Sequence, residues 1–292
     1  MSHVTEEIAS QPACWRAAAR LVAEGGAGAL PRPGERVAVV GCGTSLFMAQ
    51  AYAARREAAG HGETDAWPAS EMPAARAYDR VVLISRSGTT SEVLTLLDRL
   101  RAPTVAITAD PGAPLAAATG ATIALPFADE RSVVQTRFAT SALALLRAHL
   151  GEDLERAVQE AAQDAPPPAG ALERTQFTVL GRGWTVGLAG EAALKLREAA
   201  LAWAEAYPAH EYRHGPIAIA DERSLVWLLG DAPDGLAAEI AATGAQVVHE
   251  AEDPMAQLVR LQRLAVALAA ARGLDPDRPR HLSRSVILEG SP

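Results

Sequence analysis

Residues 78–97 place a strand, a turn rich in hydroxyl groups and a helix in direct succession. The apolar run 81–84 has the length and β-branched content of a strand that is buried on both faces. Four hydroxyl side chains follow in the turn 85–90, and a helical apolar pattern comes next, with Thr90 or Ser91 suited to cap it. Backbone N–H groups and hydroxyls at such a turn can bind an anion. The turn alone is equally compatible with an ordinary capped connection.

The same order of strand, small-residue turn and helix recurs through the first half of the chain. Strands that alternate with helices indicate a parallel sheet covered on both faces. The run 36–40 is a predicted strand that leads into the turn GCGTS (41–45) and a helix over about 46–59. Further strands are predicted at 104–108 and 121–125, and further helices at 114–119, 134–150 and 151–163.

The second half repeats this pattern with fewer clear strands. Strands are predicted at 177–181, 225–229 and 246–248, and helices from GRG (181–183) to about Trp203 and over 258–271. Two consecutive halves of this kind indicate a duplicated domain. We predict an N-terminal helical segment in residues 1–30, a first domain in 31–165 and a second in 171–292. The N-terminal helix is expected to be interrupted near Pro12.

Composition narrows the class of function. A chain of 292 residues with 49% hydrophobic and 21% charged residues is globular. Its net charge of −8 argues against sequence-independent binding to nucleic acid. The chain has no apolar signal core and no run long enough to span a membrane, so we expect a soluble cytoplasmic protein. Cys14 and Cys42 form neither a metal-binding pattern nor a disulfide framework, and no metal or cofactor is expected.

Seven stretches in order resemble the double sugar isomerase (SIS) domain family. They are most similar to the isomerase half of glucosamine-6-phosphate synthase and its stand-alone relatives. The stretches are GCGTS (41–45), SRSGTTSEV (85–93), VVQTRFATSAL (133–143), GRG (181–183), EAALKLREAALAWAEAY (191–207), EYRHGP (211–216) and DPDRPRHLSRSV (275–286). A single SxSG motif would be weak evidence, whereas seven motifs at family spacing are strong evidence.

This resemblance implies a fold of two tandem αβα sandwich SIS domains, each with a parallel flavodoxin-like sheet, the second somewhat reduced. It implies a homodimer with a shared active site and a hexose or hexosamine 6-phosphate as substrate. The synthase's amidotransferase domain uses an N-terminal Cys, whereas this chain begins Met-Ser-His, so no glutaminase activity is expected.

The resemblance also implies roles for individual residues. The substrate phosphate would be bound by residues of the first two turns: Ser45, Ser85, Arg86, Ser87 and Thr90. Arg86 stands where the synthase has Gln, and its charge should favour phosphate binding.

The implied catalytic residues lie in the second half of the chain. Glu198 would move a proton between C1 and C2 of the sugar, and Lys195 shares its helical face. His214 would assist ring opening from the neighbouring subunit. Arg284 stands where the synthase has a Lys that can form an imine, which an arginine cannot do. Either Lys195 substitutes, or no imine forms and Arg284 only binds oxygen atoms.

Three function classes follow, in decreasing order of support. The first is a phosphosugar isomerase or an aminosugar-phosphate deaminase that works through an enediol or enolamine. The second is a non-catalytic sugar-phosphate sensor, against which the presence of both Glu198 and His214 argues. The third is a nucleotide-dependent α/β enzyme, which is disfavoured because the G-x-G-x-x-G fingerprint is incomplete. The sequence does not identify the sugar.

Overall fold

The computed structural model describes residues 2–73 and 75–288, and it contains two parallel β-sheets. The first has the order β2-β1-β3-β4-β5, with β1 (Val37–Gly41), β2 (Thr64–Pro68), β3 (Arg80–Ile84), β4 (Thr104–Thr108) and β5 (Ala121–Ala124). The second has the order β7-β6-β8-β9, with β6 (Gln176–Gly181), β7 (Trp203–Pro208), β8 (Ser224–Leu229) and β9 (Gln246–His249). The prediction of two parallel sheets with a reduced second one is confirmed.

Helices connect the strands and cover the sheets. In the first half they are α1 (His3–Ala23), α2 (Thr44–Ala58), α3 (Ser91–Leu97), α4 (Pro114–Ala118), α5 (Arg137–His149) and α6 (Glu155–Ala161). In the second half they are α7 (Thr185–Ala200), α8 (Leu236–Ala241) and α9 (Pro254–Ala271). No helix within the described ranges is both long and apolar enough to cross a bilayer.

Alternate residues of the buried strands enter different hydrophobic cores, as expected for strands covered on both faces. In β1, Val37 and Val39 belong to a large central core, whereas Ala38 and Val40 pack with α3 on the opposite face of the sheet. The central core also takes one face of the second sheet, including Trp227, so it joins the two halves.

Helix α1 runs without interruption through Pro12, contrary to the prediction of a break there. Proline removes the N–H that would bond to the carbonyl four residues earlier. The side-chain amide of Gln11 donates to that carbonyl, Ile8 O, at 3.1 Å. The lost backbone bond is thus replaced, and buried Trp15 holds α1 in place by donating to Thr140 Oγ1 at 2.9 Å.

Helix α7 ends at Ala200 and not near Trp203, where the prediction ended it. Leu201 follows in a left-handed conformation with φ of 51°, which stops the helix. The chain then forms β7, an edge strand that the sequence did not predict. The sequence analysis also missed β2, the edge strand next to β1 in the first sheet.

The two halves meet where α2 packs against α7. Gly187 and Gly190 of α7 allow this close approach. A Cβ on Gly187 would overlap Phe47 O and lie 2.8 Å from Ala51 N, and one on Gly190 would lie 2.6 Å from Phe47 Cδ1. The contact brings the later turns of α7 next to the start of α2.

Candidate functional site

Two turns meet at the carboxyl edge of the first sheet. Strands β1 and β3 are neighbours, and the strand order reverses between them, which is where open parallel sheets form their binding crevice. The turn after β1 leads to Ser45 at the start of α2, and the turn after β3 contains Ser85, Ser87 and Thr90. The topology therefore brings four of the predicted phosphate ligands to one place.

Ser85 organises the turn after β3. Its Oγ accepts the Gly88 N–H at 3.2 Å and lies 3.4 Å from Thr90 Oγ1. Gly88 has a φ of 62°, and a Cβ there would lie 2.6 Å from the Cβ of Ala113. This compact turn leaves its hydroxyl groups at the edge of the sheet.

The C-terminal tail, residues 283–288, crosses the same turn. Ser285 Oγ lies 3.1 Å from Ser87 Oγ and 2.9 Å from Thr89 Oγ1. Beyond it, the Ser91 N–H donates to Val286 O at 3.2 Å, and the Leu288 N–H donates to Ser91 Oγ at 2.9 Å. The tail thus adds a hydroxyl to the turn, one that the sequence analysis did not single out.

Arg86 lies beneath the turn, and only 1% of the residue is exposed. Its guanidinium donates to Ser132 O at 2.9 Å and to Arg284 O at 2.5 Å. Its nearest carboxylate is that of buried Glu130, at 3.9 Å. Burial lowers the pKa of Arg86 and raises that of Glu130. In this arrangement Arg86 binds two backbone carbonyls, so direct contact with a phosphate stays a prediction.

The side chain of Arg284 pairs with residues of the loop after β5. It forms an ion pair with Asp129 Oδ1 at 2.6 Å and donates to Glu130 O at 2.5 Å. Nearly half of the side chain is exposed. Through these contacts Arg284 holds the tail against the first domain.

Glu191, Lys195 and Glu198 lie one turn apart on a single face of α7. Lys195 Nζ is 2.5 Å from Glu198 Oε2, 3.4 Å from Glu191 Oε1 and 3.0 Å from Thr44 Oγ1. Thr44 begins α2, beside Ser45, so this row of side chains points into the site of the first domain. The structure therefore brings Lys195, with Glu198 beside it, to the turn after β1.

Burial sets the protonation of this row. It raises the pKa of Glu191 to about 8, against which the charge of Lys195 acts in the opposite direction. Burial also lowers the pKa of Lys195, but the carboxylates of Glu191 and Glu198 outweigh it, and the net shift is upward. The ammonium group is thus held in its charged form.

Sequence reasoning missed Glu191, although the signal was present. The spacing of four residues to Lys195 and seven to Glu198 places all three on one helical face. Both carboxylate oxygens of Glu191 are fully buried and make no hydrogen bond within the described residues. The carboxyl group of Glu191 therefore contacts Lys195 and not solvent.

The structure of the single chain does not bring His214 to this row. His214 ends a short 3₁₀ turn (Glu211–His214) that follows β7 at the edge of the second sheet. It is exposed, and within residues 2–73 and 75–288 its ring makes no hydrogen bond. Its predicted action from a neighbouring subunit stays a prediction.

The second sheet has a corresponding crevice between β6 and β8, of about 760 Å³. By position after the first turn of each half, Thr185 corresponds to Ser45, and Arg55 corresponds to Lys195. Arg55 is paired with Glu152, and Arg147 is paired with Glu152 and with Asp253. The turn after β8 (residues 230–235) has no hydroxyl side chain. Internal ion pairs thus satisfy Arg55 and Arg147 in this crevice.

No group of three or more His, Cys, Asp or Glu side chains in the described part of the chain is arranged to hold a metal ion.

The chain is similar to a family model, to known proteins and to solved structures. A family model described as SIS domain matches residues 32–150, which contain the whole first sheet. A glutamine–fructose-6-phosphate aminotransferase (isomerizing) from Gloeobacter violaceus is 30% identical over an alignment that covers 87% of this chain and 52% of that protein. The chain thus spans about half the length of this relative.

Solved structures resemble the chain over nearly its full length. A glucosamine-6-phosphate deaminase from Thermotoga maritima has a TM-score of 0.82 and 26% identity, and the match covers 98% of this chain and 100% of that one. A tagatose-6-phosphate ketose/aldose isomerase from Escherichia coli has a TM-score of 0.79 and 18% identity, with coverage of 98% and 96%. The latter likeness shows the fold alone.

Proposed function

Because the chain is a SIS-domain protein homologous to the isomerase domain of glutamine–fructose-6-phosphate aminotransferase, we propose that it is a phosphosugar isomerase or an aminosugar-phosphate deaminase. Its substrate would be a hexose or hexosamine 6-phosphate. The observation that carries the proposal is the position of Glu198, which is paired with Lys195, and Lys195 in turn donates to Thr44 in the turn after β1. An acid–base group thus lies near one of the two hydroxyl-bearing turns.

The turns of the first domain would bind the phosphate through neutral donors. Ser45, Ser85, Ser87 and Thr90 offer hydroxyls at the carboxyl edge of β1 and β3. Hydrogen bonds to an anionic oxygen are shorter and stronger than those between neutral groups. This anchors the end of the sugar chain and leaves C1 and C2 free to reach α7.

Glu198 would act as the proton shuttle. As a base it removes the proton from C2 of the open-chain sugar, and the electron pair forms the C1–C2 double bond of an enediol or enolamine. The C1 oxygen takes up a proton while the C2 hydroxyl or amino group gives one up, and the same carboxyl returns the abstracted proton to C1. For a 2-hydroxy aldose the product is the ketose. For a 2-amino sugar the product is an imine at C2, which water hydrolyses to the ketose and ammonia.

Lys195 would orient Glu198 and stabilise negative charge on the sugar oxygen, without forming an imine itself. Its raised pKa keeps it protonated, and a protonated amine is not a nucleophile. Arg284 is committed to Asp129 and cannot form an imine either. These two observations support a mechanism without a covalent bond between enzyme and sugar.

We assign no glutaminase activity to this chain. A glutaminase of the thiol type needs a reactive thiolate, and burial raises the thiol pKa of both Cys14 and Cys42. The ammonia measured below should therefore come only from an amino sugar and not from glutamine.

A sugar-phosphate sensor without catalysis is the alternative. The contact of Ser285 with Ser87 and Thr89 favours it, because a tail that covers the phosphate turn could report occupancy. Binding alone does not separate the two functions, since both require it. Turnover separates them, because only the enzyme converts the sugar phosphate.

The test is a coupled assay with glucosamine 6-phosphate, which follows fructose 6-phosphate and ammonia together. Ketose with ammonia indicates a deaminase. Aldose–ketose exchange of glucose 6-phosphate or of a galactose-series 6-phosphate, without ammonia, indicates an isomerase. Glu198→Gln should lower kcat by about 10²–10⁴-fold with little change in KM. Glu155→Gln, on an exposed helix face, is the matched control and should retain full activity.

Turnover that survives unchanged in Glu198→Gln would contradict the assigned mechanism. Saturable binding of sugar phosphates by wild type, without turnover of any of them at millimolar concentration, would favour the sensor.

A further inference from the structure

Three hydroxyl groups from two distant parts of the chain form a triangle above the turn after β3. The oxygens are Ser87 Oγ, Thr89 Oγ1 and Ser285 Oγ, and the three distances between them are 3.1, 3.0 and 2.9 Å. Each hydroxyl has one proton to donate. All three residues line a cavity of about 760 Å³ at the edge of the first sheet.

The charge of this cavity comes from few side chains. Asp110 and Asp129 line it, and Arg284 is already paired with Asp129. Arg86, the other cation nearby, is buried and bonded to carbonyls. An anion in this cavity would therefore be bound by neutral donors, and the loss of any one hydroxyl of the triangle should weaken its binding.

We propose that Ser285 and Thr89 bind the substrate phosphate together with Ser87, and that Arg86 is a positioning residue that holds Ser285 in place. The proposal rests on the proposed function. An oxygen about 2 Å above the plane of the triangle lies about 2.7 Å from all three hydroxyl oxygens, a usual length for a hydroxyl bound to an anionic oxygen. The hydroxyls need only turn their protons from one another towards the phosphate.

The tail is fixed on both sides of Ser285. On one side Arg86 donates to the carbonyl of Arg284, the residue directly before Ser285. On the other side Ser91 bonds to Val286 and Leu288. Because Arg86 also donates to Ser132 O, it ties the tail to the loop before α5. Arg86 thus acts on the phosphate through Ser285.

The first experiment removes single hydroxyls and measures binding by calorimetry. The probes are glucosamine 6-phosphate, inorganic phosphate and unphosphorylated glucosamine. Ser285→Ala should weaken both phosphate-containing probes by about tenfold, since one hydrogen bond to a charged group is lost. Thr243→Ala is the matched control, because its hydroxyl donates to Ile240 O in the second half of the chain and not into the triangle. It should change affinity less than about twofold.

The second experiment separates positioning from direct contact by a double-mutant cycle. Arg86→Lys keeps the charge but cannot reach both carbonyls in the same way. It should weaken glucosamine 6-phosphate in the wild-type background, yet change it less than about twofold when Ser285 is already alanine. If Arg86 binds the phosphate directly, the two losses multiply, and affinity falls steeply with added salt. That result would overturn the positioning role.

The outcomes also separate this proposal from the proposed function. Wild type that binds or converts glucosamine 6-phosphate while Ser285→Ala binds it equally well would overturn the tail ligand and leave the function standing. Wild type that binds and converts no sugar phosphate would refute both. Ser285 lies in a half-buried tail position, so Ser285→Ala should unfold at the wild-type temperature, and a loss of affinity cannot be ascribed to unfolding.

Discussion

Lys195 lies between two carboxyl groups on α7, and it is closer to one of them than to the other. Glu198 is 2.5 Å away and partly exposed, whereas Glu191 is 3.4 Å away and fully buried. Taking a second carboxylate charge out of water is expensive unless it is fully compensated, and one lysine cannot compensate two. Glu191, whose pKa burial raises to about 8, is the group that takes up a proton instead.

A pH-dependent stability follows from Glu191. Its pKa rises from 4.5 to about 8 on folding, so between these values the folded protein binds a proton that the unfolded chain does not. The contribution of Glu191 to stability is fully present below about pH 4.5 and is lost as the pH rises through about 8. Glu191→Gln, which mimics the protonated form, should remove this loss. Urea unfolding of wild type and variant at several pH values measures it.

The difference in free energy of unfolding, variant minus wild type, should grow as the pH rises from 5 to 8. Glu155→Gln, at an exposed position, should give a constant difference over that range. A constant difference for Glu191→Gln too would show that Glu191 is ionised in the folded protein.

Several site residues could be predicted from the sequence because their motifs are local. The turn 85–90 is visible as a strand–turn–helix connection, and the resemblance to the SIS family singles out Lys195 and Glu198 on one helical face. The environment of Arg86 could not be predicted, because its partners Ser132 and Arg284 are far along the chain. A side chain's charge is visible in a sequence, but the carbonyls that bind it are not.

Among the elements, α7 connects the two halves of the site. Its first turn follows β6 of the second sheet, and its later turns reach Thr44 of the first domain. Its orientation depends on close packing against α2, which Gly187 and Gly190 permit. The distance between Lys195 and Thr44 is therefore set by two small residues about one to two turns away.

Gly187→Ala should test this dependence. Alanine normally favours a helix by about 1 kcal/mol over glycine, but here its Cβ would overlap Phe47 O. We expect a net destabilisation of about 1–3 kcal/mol, as for other overpacked sites, and a fall in kcat as α7 moves away from α2. Chemical denaturation and steady-state kinetics measure the two effects.

Gly28→Ala is the matched control, because its Cβ would lie 3.6 Å from the nearest atom, Gly25 O, in ordinary contact. It should leave kcat unchanged. If Gly187→Ala stabilised the protein as much as Gly28→Ala, α2 and α7 could move apart without loss of stability.

The two strands that the sequence analysis missed share a physical cause. Strands β2 and β7 lie at sheet edges, have a single neighbour, and lack the continuous apolar run of β1, β3 and β8. Pattern reasoning detects strands by that run. At Pro12 the prediction failed for a different reason, since the amide of Gln11 replaces a bond that local rules count as lost.

At the scale of the whole molecule, the two sheets carry crevices that hold different side chains. The first holds hydroxyls and receives the Glu191–Lys195–Glu198 row. The second has Arg55 at the position of Lys195, but Glu152 satisfies it. The row on α7 thus serves the crevice of the other domain, which makes the two halves a single functional unit.

His214 remains outside this unit in the single chain. It is exposed at the edge of the second sheet, on a turn that contacts β7 and the following 3₁₀ turn (Pro216–Ile219). If it assists ring opening, it must do so in the site of a second copy. The homodimer that the resemblance implies would supply that second copy.

Mixed dimers test this directly. His214→Ala and Glu198→Gln should each be nearly inactive alone, but co-expressed chains that carry one change each should form dimers with one intact site. With random pairing, half of the dimers are mixed, and activity should return to about a quarter of wild type. Chains that carry both changes, mixed with wild type, are the control for subunit exchange. Mixtures that stay inactive although mixed dimers are isolated would show that His214 acts within its own chain.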